Sequence, residues 1–275
     1  MKCINPRKLI NPARTGFDDY YIIASCGKCY ACLANRRRSW LFRLKNEEMA
    51  SNFSVFVTFT YNDDSCDGCL HKSHLQNFIK RLRHSHKFTY YAIGEFGTTT
   101  FRPHYHAIFF FKDKEKISCF NLQKEFEEKW KLGFVSVKKC SYRRLNYVLH
   151  YHTRPKIVNN KMTFQIFSKG MGITFIEDSR IIDYLLVNNT ALVKSLDGGT
   201  FVIPRYYRKK LSDLYNIDLK CEVDTIKTSV DEMLEKIFDR PLYQISEEEK
   251  VTYIHSLLDF SDCKIKKYNN QDKFI

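Results

Sequence analysis

Two histidines stand two residues apart in Arg102-Pro103-His104-Tyr105-His106-Ala107-Ile108-Phe109-Phe110-Phe111. In an extended strand such residues face the same side, so both imidazoles project together and could share one metal ion. The neighbours are apolar at odd and even positions alike, as in a strand covered on both faces. Imidazoles on such a strand are costly to bury unless hydrogen-bonded or ligated. Alone, the spacing fits two structurally satisfied histidines as well as a metal site. A second segment, Asn146-Tyr147-Val148-Leu149-His150-Tyr151-His152, sets two tyrosines one helical turn apart. The apolar stripe of that helix runs through Tyr142, Leu145, Val148, Leu149 and His152, and at about 100° per residue both tyrosines fall off it. A tyrosine hydroxyl in that position can act as a nucleophile; the plainer alternative is a pair of partly exposed aromatics. A third cluster, Cys26, Cys29 and Cys32, has metal-ligand spacing. A structural zinc needs four ligands, and Cys3 or the Cys66/Cys69 pair could supply the fourth thiolate. Small buried thiols are the competing reading, because spacing alone fixes no partner. An iron–sulfur cluster fits the run less well.

The elements that position these groups can be read from pattern. A helix is predicted from about Ala31 to Ala50, with Trp40, Leu41, Leu44 and Glu48 at helical spacings. Val55 to Tyr61 is a β-branched and aromatic strand. Ser73 is the expected N-cap of a helix through Leu75, Phe78, Ile79 and Leu82. Strands follow over Thr89–Ile93, within Phe101–Phe111 and over Gly133–Lys138. Helices are expected over Asn121–Trp130 and Ser141–His152, the latter stopped by Pro155. Beyond residue 160 the pattern allows a strand and a Gly170-Met171-Gly172 turn in Met162–Ile176, a strand over Phe201–Tyr207, and two helices between about 224 and 260. Strands and helices mix without regular βαβ spacing. The expected class is therefore α+β, with a central, largely antiparallel sheet flanked by helices and a helical C-terminal extension. Three segments are expected: a Cys-rich, basic segment over 1–50 packing on the core, the core over 51–207, and the extension over 208–275.

The 275 residues include 45 basic and 31 acidic side chains, a formal charge of +14. Such a balance points to a polyanionic partner, most often nucleic acid. Arg36, Arg37, Arg38, Lys80, Arg83, Arg102, Arg143 and Arg144, with Arg205–Lys210, are the candidate phosphate contacts. Tyr142, Tyr206 and Tyr207 are candidate base-stacking aromatics. The N-terminus lacks an apolar run of signal type, and no segment is apolar enough to span a bilayer, so no membrane role is expected. Ten cysteines in a cytoplasmic setting are expected as thiols or metal ligands rather than disulfides.

Taken together and in order, these motifs resemble the HUH endonucleases, and within them the replication initiators of small circular single-stranded DNA phages, the gokushovirus branch of the microviruses nearest. The resemblance covers most of residues 1–207. It rests on the Cys26–Cys32 run with its basic residues, Val57-Thr58-Phe59-Thr60-Tyr61, Gly94-Glu95-Phe96-Gly97, the His104/His106 segment, Tyr147-Val148-Leu149-His150-Tyr151 and Pro204-Arg205-Tyr206-Tyr207. It implies an HUH core over 51–207, with Mg²⁺ or Mn²⁺ held by His104, His106 and an oxygen ligand, for which Glu95 is the candidate. It implies attack by Tyr147 or Tyr151 on single-stranded origin DNA, a 5′-phosphotyrosine intermediate, strand rejoining in rolling-circle replication, and action in the cytoplasm of a bacterial host. No Gly-x-x-x-x-Gly-Lys-Ser/Thr loop occurs, so unwinding would fall to a host helicase, alongside a host polymerase. One departure stands out. The family often carries a lysine on the tyrosine helix where this chain has His150, which could aid the reaction only when protonated. Two other readings fit the composition: a basic nucleic-acid-binding protein without catalysis, and a relaxase or transposase of the same chemistry.

Overall fold

The computed structural model describes residues 3, 5–11, 21–97, 99–113, 118–150, 157–158, 161–194, 200–217, 219, 235, 237–246 and 249. Two compact units divide the chain: residues 2–220, and residues 221–275 with residue 1. In the second unit the described residues include a 3-10 turn, Leu242–Gln244, and an Arg240–Glu249 ion pair of 2.7 Å. The two helices expected over 224–260 fall almost wholly outside the described residues.

The first unit opens with an antiparallel pair, β1 (Arg7–Ile10) and β2 (Tyr21–Ala24), followed by the long helix α1 (Tyr30–Met49). The elements β3 (Phe53–Tyr61), α2 (Lys72–Leu82), β4 (Phe88–Phe96), β5 (Pro103–Phe111), α3 (Cys119–Trp130), β6 (Gly133–Lys139) and α4 (Tyr142–His150) come next. After two short ribbon strands, β7 (Ile157–Val158) and β8 (Lys161–Met162), β9 (Phe164–Phe167) joins the main sheet. A 3-10 turn (Ile173–Ile176), α5 (Ser179–Val187), the ribbon β10 (Leu192–Lys194) with β11 (Thr200–Val202), and α6 (Arg205–Tyr215) complete the unit. The main sheet has five strands in the order β6-β3-β5-β4-β9, antiparallel throughout. The α+β architecture expected from the sequence is the one observed.

Alternation along the strands divides the core into two layers. From β5, Tyr105, Ala107, Phe109 and Phe111 face one side, where they meet Leu75, Phe78, Ile79 and Leu82 of α2 and Leu122, Phe126 and Trp130 of α3. Ile108 and Phe110 face the other side, against Trp40 and Leu44 of α1 and Leu145, Val148 and Leu149 of α4. Both faces of β5 are thus covered, which explains its near-continuous apolar sequence. Truncating a fully buried aromatic such as Phe109 to Ala costs about 3–5 kcal/mol. His104 and His106 share the register of Ile108 and Phe110, at the end of the α1/α4 layer.

Several boundaries differ from the sequence pattern for identifiable reasons. The Ser73 cap is not formed: α2 starts at Lys72 with His71 in the cap position. The Tyr105 hydroxyl accepts from the His71 amide at 2.8 Å and donates to the His71 carbonyl at 3.1 Å, which fixes the entry to the helix. The strand expected over Phe201–Tyr207 ends at Val202, and Pro204 instead leads into α6, since the fixed φ of proline suits a helix start. At Gly133 φ is +149°, and a Cβ there would lie 2.3 Å from the Asn62 amide nitrogen, so only glycine lets β6 begin beside β3.

Candidate active site

Cross-strand register assembles the site. In the β4–β5 ladder Glu95 lies opposite His104, and in the β3–β5 ladder Thr58 lies opposite His106. Glu95 Oε1 accepts from His104 Nε2 at 2.9 Å and from His106 Nε2 at 3.0 Å. Glu95 and His106 are buried, and His104 is half-buried. The Nδ1 atoms have partners of their own: the Arg102 carbonyl at 3.1 Å for His104, and the Thr58 hydroxyl at 3.0 Å for His106. A proton held on Nδ1 leaves the Nε2 lone pair for a metal, the usual outer-shell arrangement of a ligating histidine. Phe56 stacks on the His106 ring at 5.4 Å and fixes its plane.

The donor set fits a divalent ion. The ligating atoms of Glu95, His104 and His106 lie within 4.8 Å of one another. Glu95 Oε2 is buried with no hydrogen-bond partner among the described residues, the kind of orphaned acceptor that a cation satisfies. Two imidazoles and one carboxylate suit Mn²⁺ or another borderline ion and tolerate Mg²⁺. Electrostatics in the metal-free site are strongly coupled. Burial pushes the Glu95 carboxyl up, but hydrogen bonds from both histidines outweigh it and hold it below the ordinary carboxylate value. Burial pulls His104 down, yet the Glu95 bond and charge leave it raised. For His106 burial prevails and the pKa is lowered.

Helix α4 brings the nucleophile candidate. Leu145, Val148 and Leu149 are buried in the sheet-facing stripe, and Tyr147 lies half-buried beside it. Its hydroxyl is 3.4 Å from His106 Nε2, and its ring meets that imidazole edge-on at 5.1 Å. Tyr151 lies outside the described residues. His150 is buried rather than presented to solvent, a poor setting for the charge that a lysine substitute would need.

The basic candidates are spread over the molecule. Arg143 and Arg144 sit on α4, one turn before Tyr147. Arg102 pairs with Asp63 at 2.7 Å and donates to the Tyr61 carbonyl at 2.9 Å. Arg36 donates to the Gly27 carbonyl at 3.3 Å, while Arg37 and Arg38 follow it on α1. Lys80 and Arg83 belong to α2 and its end, in the layer opposite the histidines, and the Arg83 guanidinium lies over the rings of Phe88 and Tyr90. Two expected base-stacking aromatics are engaged otherwise. Tyr207 is fully buried between Phe42, at 5.5 Å, and Phe175, at 4.9 Å. Tyr206 lies under the Arg43 guanidinium at 3.9 Å. Tyr142 is exposed, as expected.

Residues 54–156 match the family model of the ORF2 class of replication-associated proteins. The chain is similar to viral replication-associated proteins. The matched region contains Thr58, Glu95, His104, His106, Tyr147 and Tyr151. Over 295 aligned residues the chain is 27% identical to replication-associated protein ORF2 of Spiroplasma virus 4, covering 94% of this chain and 87% of that protein. It is 24% identical to replication-associated protein ORF4 of Chlamydia phage 1, over 73% of this chain and 56% of the relative. A shorter alignment, 31% identical over 100 residues, links it to replication-associated protein VP4 of Bdellovibrio phage phiMH2K, with 31% of this chain and 30% of that one covered. No solved structure matches. The family match thus brackets the whole histidine–glutamate–tyrosine constellation, whereas Cys26, Cys29 and Cys32 precede it.

Pattern reading does not single out Thr58 and Phe56, which orient His106. The signal is present in Val55-Phe56-Val57-Thr58-Phe59-Thr60-Tyr61, where hydroxyls interrupt an otherwise apolar strand. Only the register, which sequence does not print, shows which imidazole each residue meets.

Proposed function

We propose that this chain is a replication initiator that nicks single-stranded DNA at an origin and later rejoins the strand. The observation that carries the reading is the buried Glu95–His104–His106 cluster with the Tyr147 hydroxyl 3.4 Å from His106 Nε2. The similarity to replication-associated proteins supports the biological setting. Glu95, His104 and His106 would hold Mg²⁺ or Mn²⁺, which as a Lewis acid polarises the scissile phosphate. The Tyr147 oxygen attacks phosphorus, its proton leaves, and the P–O bond to the 3′ oxygen breaks, giving a 5′-phosphotyrosine and a free 3′ hydroxyl. The ester is exchanged rather than hydrolysed, so a 3′ hydroxyl can attack in turn and close the strand. Tyr151, one turn on, is the second nucleophile for the newly made origin. Arg143 and Arg144 neutralise backbone phosphates next to Tyr147, and a host helicase supplies unwinding.

The test is incubation with circular single-stranded DNA carrying the cognate origin, with and without Mn²⁺, followed by a denaturing protein gel. A metal-dependent covalent adduct is expected. Tyr147→Phe or Tyr151→Phe alone weakens it, and the double variant lacks it. His104→Ala with His106→Ala loses cleavage but keeps much of the DNA affinity. Absence of adduct with DNA binding intact would shift the reading to a non-catalytic binder.

A further inference from the structure

Outside the histidine site, the described residues contain one other group of converging metal-ligand side chains. Cys3, Cys26, Cys29 and Cys32 bring their four sulfurs within 4.8 Å of one another. The Cys3–Cys29 sulfurs are 3.8 Å apart and the Cys26–Cys32 sulfurs 3.9 Å. Four thiolates around one ion at about 2.3 Å form a tetrahedron with edges of about 3.8 Å. None of the four forms a disulfide, and these separations are nearly twice the about 2.05 Å of such a bond.

The backbone is arranged for thiolates. Cys26 Sγ accepts from the Lys28 amide at 3.4 Å and the Cys29 amide at 3.2 Å, and Cys3 Sγ accepts from the Cys26 amide at 3.2 Å. Gly27, at φ +74°, turns the chain between the first two cysteines. Cys29 is the N-cap residue of α1, and Cys32 follows within its first turn. Cys3 arrives from the far end of the β1–β2 pair, whose register sets Arg7 against Ala24. Arg7 also donates to the Cys26 carbonyl at 2.6 Å. The structure therefore brings Cys3 to the run. Cys66 packs instead against the core layer formed with α2 and α3, and Cys69 is exposed.

We propose that Cys3, Cys26, Cys29 and Cys32 bind one structural Zn²⁺, which staples the β1–β2 pair to the start of α1. The pair needs such a staple. Leu9, Ile10, Tyr21 and Ile23 are all exposed, so the two strands have little apolar burial of their own. A lone two-stranded ribbon is marginal in water, whereas a closed four-thiolate zinc site contributes folding energy outright. Sulfurs this close enclose a single ion rather than a multinuclear cluster.

The experiment is elemental analysis of the full chain, untagged and purified under reducing conditions without chelator. About one zinc per chain is expected in the wild type and also in His104→Ala with His106→Ala, which separates this site from the proposed catalytic one. Cys3→Ser and Cys29→Ser lose it, and protease cleavage ahead of Cys26 becomes faster in both. Exchange of the wild type with Co²⁺ gives the intense visible bands of tetrahedral thiolate coordination, a readout that needs no variant. A zinc-free wild type with reactive thiols at these positions overturns the proposal. So does one equivalent of iron in place of zinc, or full zinc retention by Cys3→Ser.

Discussion

Glu95 divides its two oxygens between two tasks. Oε1 holds both imidazoles, and Oε2 is buried without a partner among the described residues. Replacing it by the isosteric amide keeps the size but removes the charge that a cation needs. Glu95→Gln should weaken Mn²⁺ binding, measured by calorimetry, by more than the about 10–100-fold typical of losing an outer-shell partner. Thr58→Val removes only such a partner of His106 and should fall within that range. Unchanged Mn²⁺ affinity in both variants would remove this cluster from metal binding. Alternation makes His104 and His106 legible as a pair, and the strand end makes Glu95 a candidate. Thr58 is not legible, because its role depends on which residue of β5 it faces. Tyr207 misleads for a related reason: an aromatic in a basic segment looks available, but burial between Phe42 and Phe175 depends on contacts more than 30 residues away in sequence.

At the level of elements, α1 is the beam on which the site's layer rests. Over 20 residues, about 30 Å, it packs against α4 and the 3-10 turn Ile173–Ile176. It is anchored by buried charge. Arg43 lies between the rings of Trp40, at 4.1 Å, and Tyr206, at 3.9 Å, and donates to the Met171 carbonyl. Glu47 accepts from the Gly172 amide at 2.6 Å and the Thr89 hydroxyl at 2.7 Å, and pairs with Lys112 at 3.0 Å. Burial pushes the Glu47 carboxyl up, but these partners outweigh it and hold it below the usual 4.5. A depressed folded-state carboxylate contributes stability that is present above the unfolded value and lost as pH falls through the folded one. Glu47→Gln should therefore cost about 1–3 kcal/mol at pH 7 in urea melts, and the difference from wild type should shrink below about pH 4.5. A constant difference across that range would mean Glu47 is not ionised in the fold. The main strands, α1, α3 and the start of α4 are readable from periodicity. The β1–β2 pair and α6 are not. The first is short and exposed, so it carries no amphipathic signal, and the second begins in a segment whose β-branched residues precede a proline.

Across the whole molecule the charge of +14 is not confined to one element. Arg143 and Arg144 share α4 with Tyr147, whereas Lys80 and Arg83 stand in the opposite layer. Affinity for a single strand falls with salt by about 0.7 in log–log slope per phosphate contact. Arg143→Ala with Arg144→Ala should reduce the slope by about 1.4, read by fluorescence anisotropy over a sodium chloride series. Lys80→Ala with Arg83→Ala should change it by less than half as much. Equal effects would mean that DNA wraps both layers. Net charge makes a polyanionic partner legible in the sequence, but which arginines share the tyrosine's helix face depends on the observed helix and sheet packing. The short connection between β4 and β5 adds a further point. Gly97 donates to the Arg102 carbonyl at 3.0 Å, closing the connection just beyond the ladder, while the three metal-ligand candidates sit on the paired strands behind it. Chemistry and address are therefore separable. Related replicons can diverge in the residues that project beyond the strands, and so in the origin they recognise, while inheriting the same reaction centre unchanged.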